Sequence, residues 1–243
     1  MRLMVAGTYA DMSISGATVV ANTLLERPEA VISLTTGYTP AGLYRHLPSL
    51  CASLGVDLAG AHYISSEEYV GVSADSPISL FGWLNRDFFA PNHIPAERVL
   101  RMAGDALNPD DECRRFDLAI EQAGGIDLVL QTIGVNGHFG FNEPGSSPTA
   151  CSRAVELAPA TREANGRYWP AGTAVPTHGL SMGLRQTLRA RHILLLASGA
   201  EKARALYDAM VGPIGGETPC SLLRLAPRLT VIADEAAGRL LAT

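Results

Sequence analysis

Short apolar runs alternate along this chain with longer amphipathic stretches. Runs of four to six mostly apolar residues, bounded by polar or turn-forming positions, read as buried strands. Residues 30–34 (AVISL), 62–65 (HYIS), 126–130 (IDLVL), 192–197 (HILLLA) and 229–234 (LTVIAD) have this form. Helical spacing fills much of what lies between. Residues 9–26 form an opening helix stopped by Pro28, and residues 40–54 a second that starts at Pro40. Residues 76–89 carry aromatics on one face, and residues 108–122 carry acids in the first turn with Gly124-Gly125 just beyond. A last helix runs over 199–211. Residues 91–101 read as a loop and short strand, 146–169 as polar and irregular, and 173–181 as one more strand before a short helix. Alternating strands and helices predict an α/β fold: a single doubly wound, mostly parallel sheet with helices on both faces, Rossmann-like, with residues 1–243 as one domain.

Some connections do not read as simple turns. The strand at 126–130 runs into Thr132-Ile133-Gly134-Val135-Asn136-Gly137-His138-Phe139-Gly140-Phe141-Asn142-Glu143-Pro144-Gly145. Its glycines let backbone approach a ligand closely, and Asn136, His138 and Glu143 supply polar chemistry. A loop at the carboxyl end of a central strand is where open α/β sheets bind ligands. Thr36-Gly37-Tyr38-Thr39-Pro40 joins a strand to a helix start, an arrangement that suits phosphate and equally suits an ordinary capped turn. Lys202 stands in the first turn of its helix, against the dipole preference, as a residue facing an anion would. Glu67 and Glu68 by themselves read as a solvated acidic pair.

Composition narrows the function classes. The chain has 243 residues, 47% hydrophobic and 18% charged, with a formal net charge of −5. That is a globular composition with no basic run, so nucleic-acid backbone is not an expected partner. No segment approaches the ~20 apolar residues of a membrane span, and none reads as a secretory signal. The four cysteines are scattered without a C-x-x-C pair, which points to reduced thiols, a cytoplasmic protein and no zinc site. Apolar patches serve equally as core or as contacts of a homo-oligomer.

The run Asn136-Gly137-His138-Phe139-Gly140-Phe141-Asn142-Glu143-Pro144-Gly145 resembles the N/D-G-H-x-x-F-N-E-P-G signature of glucosamine-6-phosphate deaminases and their galactosamine-6-phosphate relatives. The related 6-phosphogluconolactonases share a G-H loop without the Phe-Asn-Glu-Pro run. The resemblance covers nearly the whole chain. Thr36, Gly37 and Thr39 match a T-G-x-T-P loop that grips the sugar phosphate, with Tyr38 where the family has a small residue. Ser66-Glu67-Glu68-Tyr69-Val70-Gly71 resembles D-E-Y-V-G-L, which puts Glu67 where the family has its proton-transferring Asp. Arg167, in Ala-Asn-Gly-Arg-Tyr-Trp, is similar to a phosphate-clamping Arg, and Lys202 to the lysine of G-x-x-K-A. Gly137 joins the substrate-binding set, while Arg224 and Ala226 stand where the family often has Gln and His.

The resemblance implies a reaction. His138 takes the anomeric hydroxyl proton and returns it to the ring oxygen. Glu143 orients and charge-stabilises that imidazole, and Asn136 braces the pair. Glu67 moves a proton from C2 to C1 through an enediol-like intermediate, and ammonia leaves C2. The implied partner is a small-molecule sugar phosphate, and no metal or organic cofactor is required. Two other readings stay open: a 6-phosphogluconolactonase-like hydrolase with His138 as base for water, and a catalytically weakened sugar-phosphate-binding protein. Some relatives are allosteric hexamers; Arg153 fits their effector site, but Val155 replaces a basic residue there, which implies that such regulation is not retained.

Overall fold

The apolar runs become neighbouring strands of one parallel sheet. A computed structural model describes residues 1–241. In chain order the elements begin β1 (Arg2–Ala6), α1 (Tyr9–Glu26), β2 (Val31–Leu34), α2 (Tyr38–Leu54), β3 (His62–Ser65) and β4 (Glu67–Tyr69). They continue α3 (Leu80–Leu84), β5 (Val99–Arg101), α4 (Pro109–Gln122), β6 (Leu128–Thr132), β7 (Arg153–Glu156) and α5 (Pro159–Gly166). The last are β8 (His178–Ser181), α6 (Leu184–Arg189), β9 (His192–Ala197), α7 (Ala203–Val211), β10 (Leu229–Asp234) and α8 (Glu235–Gly238). The main sheet has seven strands in the order β1-β10-β9-β6-β2-β3-β5. All its pairings are parallel.

Strand alternation splits the core in two. Leu128 and Leu130 of β6 pack with α1 and α2, through Met12, Val20, Leu43 and Leu47. Val129, between them, packs on the opposite face with Phe116 and Ile120 of α4 and Leu206 of α7. Helices therefore cover both faces, as expected of a doubly wound sheet.

Several elements depart from the sequence expectation. β1 was not anticipated; it closes one edge by pairing with β10. The stretch expected to be irregular, 146–169, contains β7 and α5. β7, β8 and β4 form a separate three-stranded sheet in the order β4-β8-β7, with antiparallel pairings. Glu67 thus lies in a strand, opposite Ser181. The helix expected from residue 76 begins at Leu80, because Ser79 caps it by accepting a hydrogen bond from the Gly82 amide at 2.9 Å. Among the described residues no helix is long and apolar enough to cross a membrane.

Candidate active site

β9, β6, β2 and β3 are consecutive neighbours, so the segments leaving their carboxyl ends converge. Between them lies a cavity of about 340 Å³. Thr36 to Thr39 reach it from β2, Glu67 from the strand after β3, Asn136 and His138 from the loop after β6, and Lys202 from the loop after β9. α5 and the residues after it add Thr161, Arg167 and Tyr168 to the lining. Of the residues given a catalytic or substrate-binding role in the sequence, Glu143 and Gly137 do not line this cavity; Arg153, singled out for an effector site, does not line it either. Gly137 belongs to the turn: its amide donates to the Gly134 carbonyl at 3.0 Å and its carbonyl accepts from the Cys220 amide at 2.9 Å. Glu143 stands behind the imidazole.

The imidazole is held through an amide. His138 Nδ1 lies 2.5 Å from Asn136 Oδ1, an oxygen that can only accept, so Nδ1 carries the proton and Nε2 is the free basic nitrogen. Asn136 Nδ2 donates in turn to Glu143 Oε2 at 3.0 Å. The direct separation of His138 Nδ1 and Glu143 Oε2 is 3.6 Å, longer than a hydrogen bond. The sequence had Glu143 orienting the imidazole itself. In the structure Asn136 does so, and Glu143 acts at one remove and through its charge. Thr161, which carries no sequence signal for this role, donates to Glu143 Oε1 at 2.5 Å. Gly134 leaves room for the ring: a Cβ there would sit 2.2 Å from His138 Cε1. Burial pushes the His138 pKa below its ordinary value; Glu143 opposes this and Lys202 adds to it. The result is a neutral imidazole near pH 7.

The two adjacent acids have opposite surroundings. Glu68 is saturated with donors: the amides of Tyr69, Leu80 and Phe81 at 2.9, 3.0 and 3.1 Å and the Ser79 hydroxyl at 2.6 Å. It ties β4 to the start of α3 and is a structural carboxylate. Glu67 is 5% exposed and faces the cavity. Burial raises its pKa from 4.5 to about 7; the Ser66 and Gln131 side chains oppose the rise and Glu68 adds to it. Its extra methylene relative to Asp is accommodated at Gly140, where a Cβ would come 2.6 Å from Glu67 Oε1 and φ is +52°. Proton transfer at neutral pH calls for such a carboxylate, near its pKa and shielded from bulk water.

Two cations, Arg167 and Lys202, line the same cavity as Gly37, Tyr38 and Thr39 at the amino end of α2, where the first-turn amides and the dipole favour an anion; Glu163 and Glu201 line it as well. Burial lowers the Lys202 pKa from its ordinary value, with Glu201 and Cys220 opposing and Arg167 adding to the effect. Tyr38 lines the cavity and is 62% exposed. Its hydroxyl donates to the Arg167 carbonyl at 3.1 Å and its ring meets Tyr168 edge-on at 4.9 Å. Tyr38 therefore braces the segment that carries Arg167.

Residues 9–231 match the family described as glucosamine-6-phosphate isomerases/6-phosphogluconolactonase. The chain belongs to this family. A glucosamine-6-phosphate deaminase of Geobacillus sp. (strain WCH70) is 38% identical over 235 residues, 97% of this chain and 94% of that protein. Glucosamine-6-phosphate deaminase 1 of Bacillus subtilis (strain 168) is 37% identical over 240 residues, 99% of each chain. A solved structure described as a monomeric glucosamine-6-phosphate deaminase superposes with a TM-score of 0.95 at 37% identity, covering 99% of this chain and all of that one. The 6-phosphogluconolactonase of Leishmania guyanensis superposes at 0.80 with 17% identity, a likeness of fold alone across the glucosamine-6-phosphate isomerase/6-phosphogluconolactonase family.

Proposed function

We propose that this chain is an amino-sugar-phosphate deaminase that converts glucosamine 6-phosphate or its galacto epimer to a ketose 6-phosphate and ammonia. The observation that carries the reading is one cavity holding a buried carboxylate with a pKa of about 7 and a neutral imidazole, with Arg167 and Lys202 for phosphate. The sequence relation to deaminases along almost the full chain supports the same reading.

The residues divide the work. Arg167, Lys202 and the α2 amino end hold the phosphate; Tyr38 holds the Arg167 segment. His138 Nε2 takes the anomeric hydroxyl proton and delivers it to the ring oxygen, which opens the ring to an aldehyde. The brief positive charge on the ring is shared through Asn136 with Glu143. The aldehyde acidifies the C2 proton, and Glu67 removes it. As that proton leaves, the C2 ammonium gives one of its own protons to the aldehyde oxygen, so the intermediate is a neutral enolamine. Glu67 returns the proton at C1, leaving an imine at C2, and water adds there as ammonia departs. Each proton taken is given back, so no metal or redox group is needed for balance. We read residues 1–243 as one catalytic domain. The unpaired cysteines accord with a cytoplasmic protein whose partner is a sugar phosphate and not nucleic acid or membrane.

Parallel assays of ammonia release from glucosamine 6-phosphate and galactosamine 6-phosphate, and of hydrolysis of 6-phosphogluconolactone, test the reading. Ammonia from at least one amino sugar with an inert lactone is expected. Lactone hydrolysis without ammonia would replace the deaminase by a lactonase.

A further inference from the structure

A second cavity, of about 280 Å³, lies at the other end of the sheet. It opens between α1 and the amino ends of β1, β10 and β9. The register places Arg2 beside Thr230 and Met4 beside Ile232, so these side chains share the face that α1 covers. Higher on this face the strands present Leu194, Leu196 and Ile232, the apolar surface that a doubly wound sheet gives its helices. At the amino ends the pattern changes to polar. His192, 6% exposed, and Thr230 take the equivalent places, joined by a 2.9 Å hydrogen bond between His192 Nε2 and the Thr230 hydroxyl. α1 faces them with a polar stripe that includes Ser15, Asn22 and, at its end, Glu26.

Two guanidiniums frame this crevice, from Arg2 and Arg228. Neither has a hydrogen-bond or carboxylate partner among the described residues, whereas nearby Arg27 and Arg191 both reach Asp127, at 3.3 and 3.2 Å. Burial and the charge of Arg228 hold the His192 pKa down to about 4, so this imidazole is a neutral hydrogen-bonding group. The one carboxylate in the lining, Glu26, offers an acceptor on the far side.

We propose that this crevice is a second binding site for a small hydroxylated oxyanion, such as a phosphorylated or carboxylated polyol. Arg2 and Arg228 take the charged group as planar, multi-donor forks. Glu26, Asn22 and the neutral His192 meet the hydroxyls. The site lies at the opposite end of the strands from His138 and Glu67 and does not depend on the deaminase reading.

The test uses the histidine rings as two separate reporters in the full chain. Inorganic phosphate is titrated at constant ionic strength against chloride, while the ¹⁵N-labelled ring signals of His192 and His138 are followed. His192 is expected to respond in the natural chain and in an Arg167→Ala/Lys202→Ala variant, which disables only the first cavity. Its response is expected to be lost in Arg2→Ala/Arg228→Ala, where His138 still responds. Asn22→Trp, which fills the crevice and keeps both arginines, should lose it as well. Glycerol 3-phosphate is expected to bind at His192 at least several-fold more tightly than inorganic phosphate. A His192 ring that stays silent, or moves only when the first cavity is intact, overturns the site. Equal affinity for the two probes overturns the hydroxyl part of the assignment.

Discussion

Glu67→Gln should make the protein more stable and inactive at once. In the native state the Glu67 pKa is raised from 4.5 to about 7, chiefly by burial. The folded protein therefore resists ionising a group that the unfolded chain ionises freely. Below pH 4.5 the group is protonated in both states and there is no cost. Through the window from 4.5 to 7 the cost grows, and above 7 it is fully present. At about 1.4 kcal/mol per tenfold change in affinity for the proton, it reaches about 3 kcal/mol at pH 8 and stays under about 1 kcal/mol at pH 5. The carboxylate faces a cavity and not the packed core, so about 3 kcal/mol is an upper bound. Glutamine keeps the shape without the charge. Urea unfolding of both proteins at pH 8 and pH 5 measures the effect. The variant should be more stable at pH 8, by an amount that shrinks sharply at pH 5. A difference independent of pH, or a variant less stable at pH 8, would refute the idea that Glu67 is held ionisable at a cost to folding.

The same carboxylate sets the pH profile: kcat/KM for deamination should drop about fivefold from pH 7 to pH 6, as the ionised fraction falls from about a half to about a tenth. Glu68→Ala should have the opposite sign to Glu67→Gln, losing about 3 kcal/mol in urea unfolding, because three amides and the Ser79 hydroxyl lose a buried acceptor. Gly140→Ala should displace Glu67 and cost at least about tenfold in kcat, and Glu67→Asp should regain activity in that background but not improve the natural chain. Asn136→Asp should raise the His138 pKa, read from its ring ¹⁵N signals, because a charge replaces an amide 2.5 Å from Nδ1.

Much of the fold was legible because its signal is local. Each apolar run at 30–34, 62–65, 192–197 and 229–234 is buried on both sides, and such runs declare themselves without knowledge of their partners. β1 was missed although Leu3-Met4-Val5-Ala6 is an apolar run: it is an edge strand that leaves Leu3 and Val5 exposed, and only its pairing with β10 makes it part of the sheet. β4 and β7 were missed because such short, mixed segments (Glu67–Tyr69 and Arg153–Glu156) acquire strand geometry only by pairing with β8. In the site, the sequence pointed to residues most of which the structure gathers around one cavity, but not to their connections. Asn136 between His138 and Glu143, and Thr161 on Glu143, depend on a loop and a helix meeting in space. Likewise no spacing rule separates Glu67 from Glu68. What separates them is that the start of α3 offers its donors to Glu68 and leaves Glu67 facing the cavity.

Ammonia formation from glucosamine 6-phosphate and galactosamine 6-phosphate, by the natural chain beside His138→Ala and Glu67→Gln, tests the central claim most directly. The expected result is ammonia and ketose 6-phosphate in equal amounts from the natural chain with at least one of the two sugars. Neither variant should turn over that sugar, though both should still bind inorganic phosphate at Arg167 and Lys202. Undiminished ammonia release by either variant, or none from either sugar by the natural chain, would contradict the account.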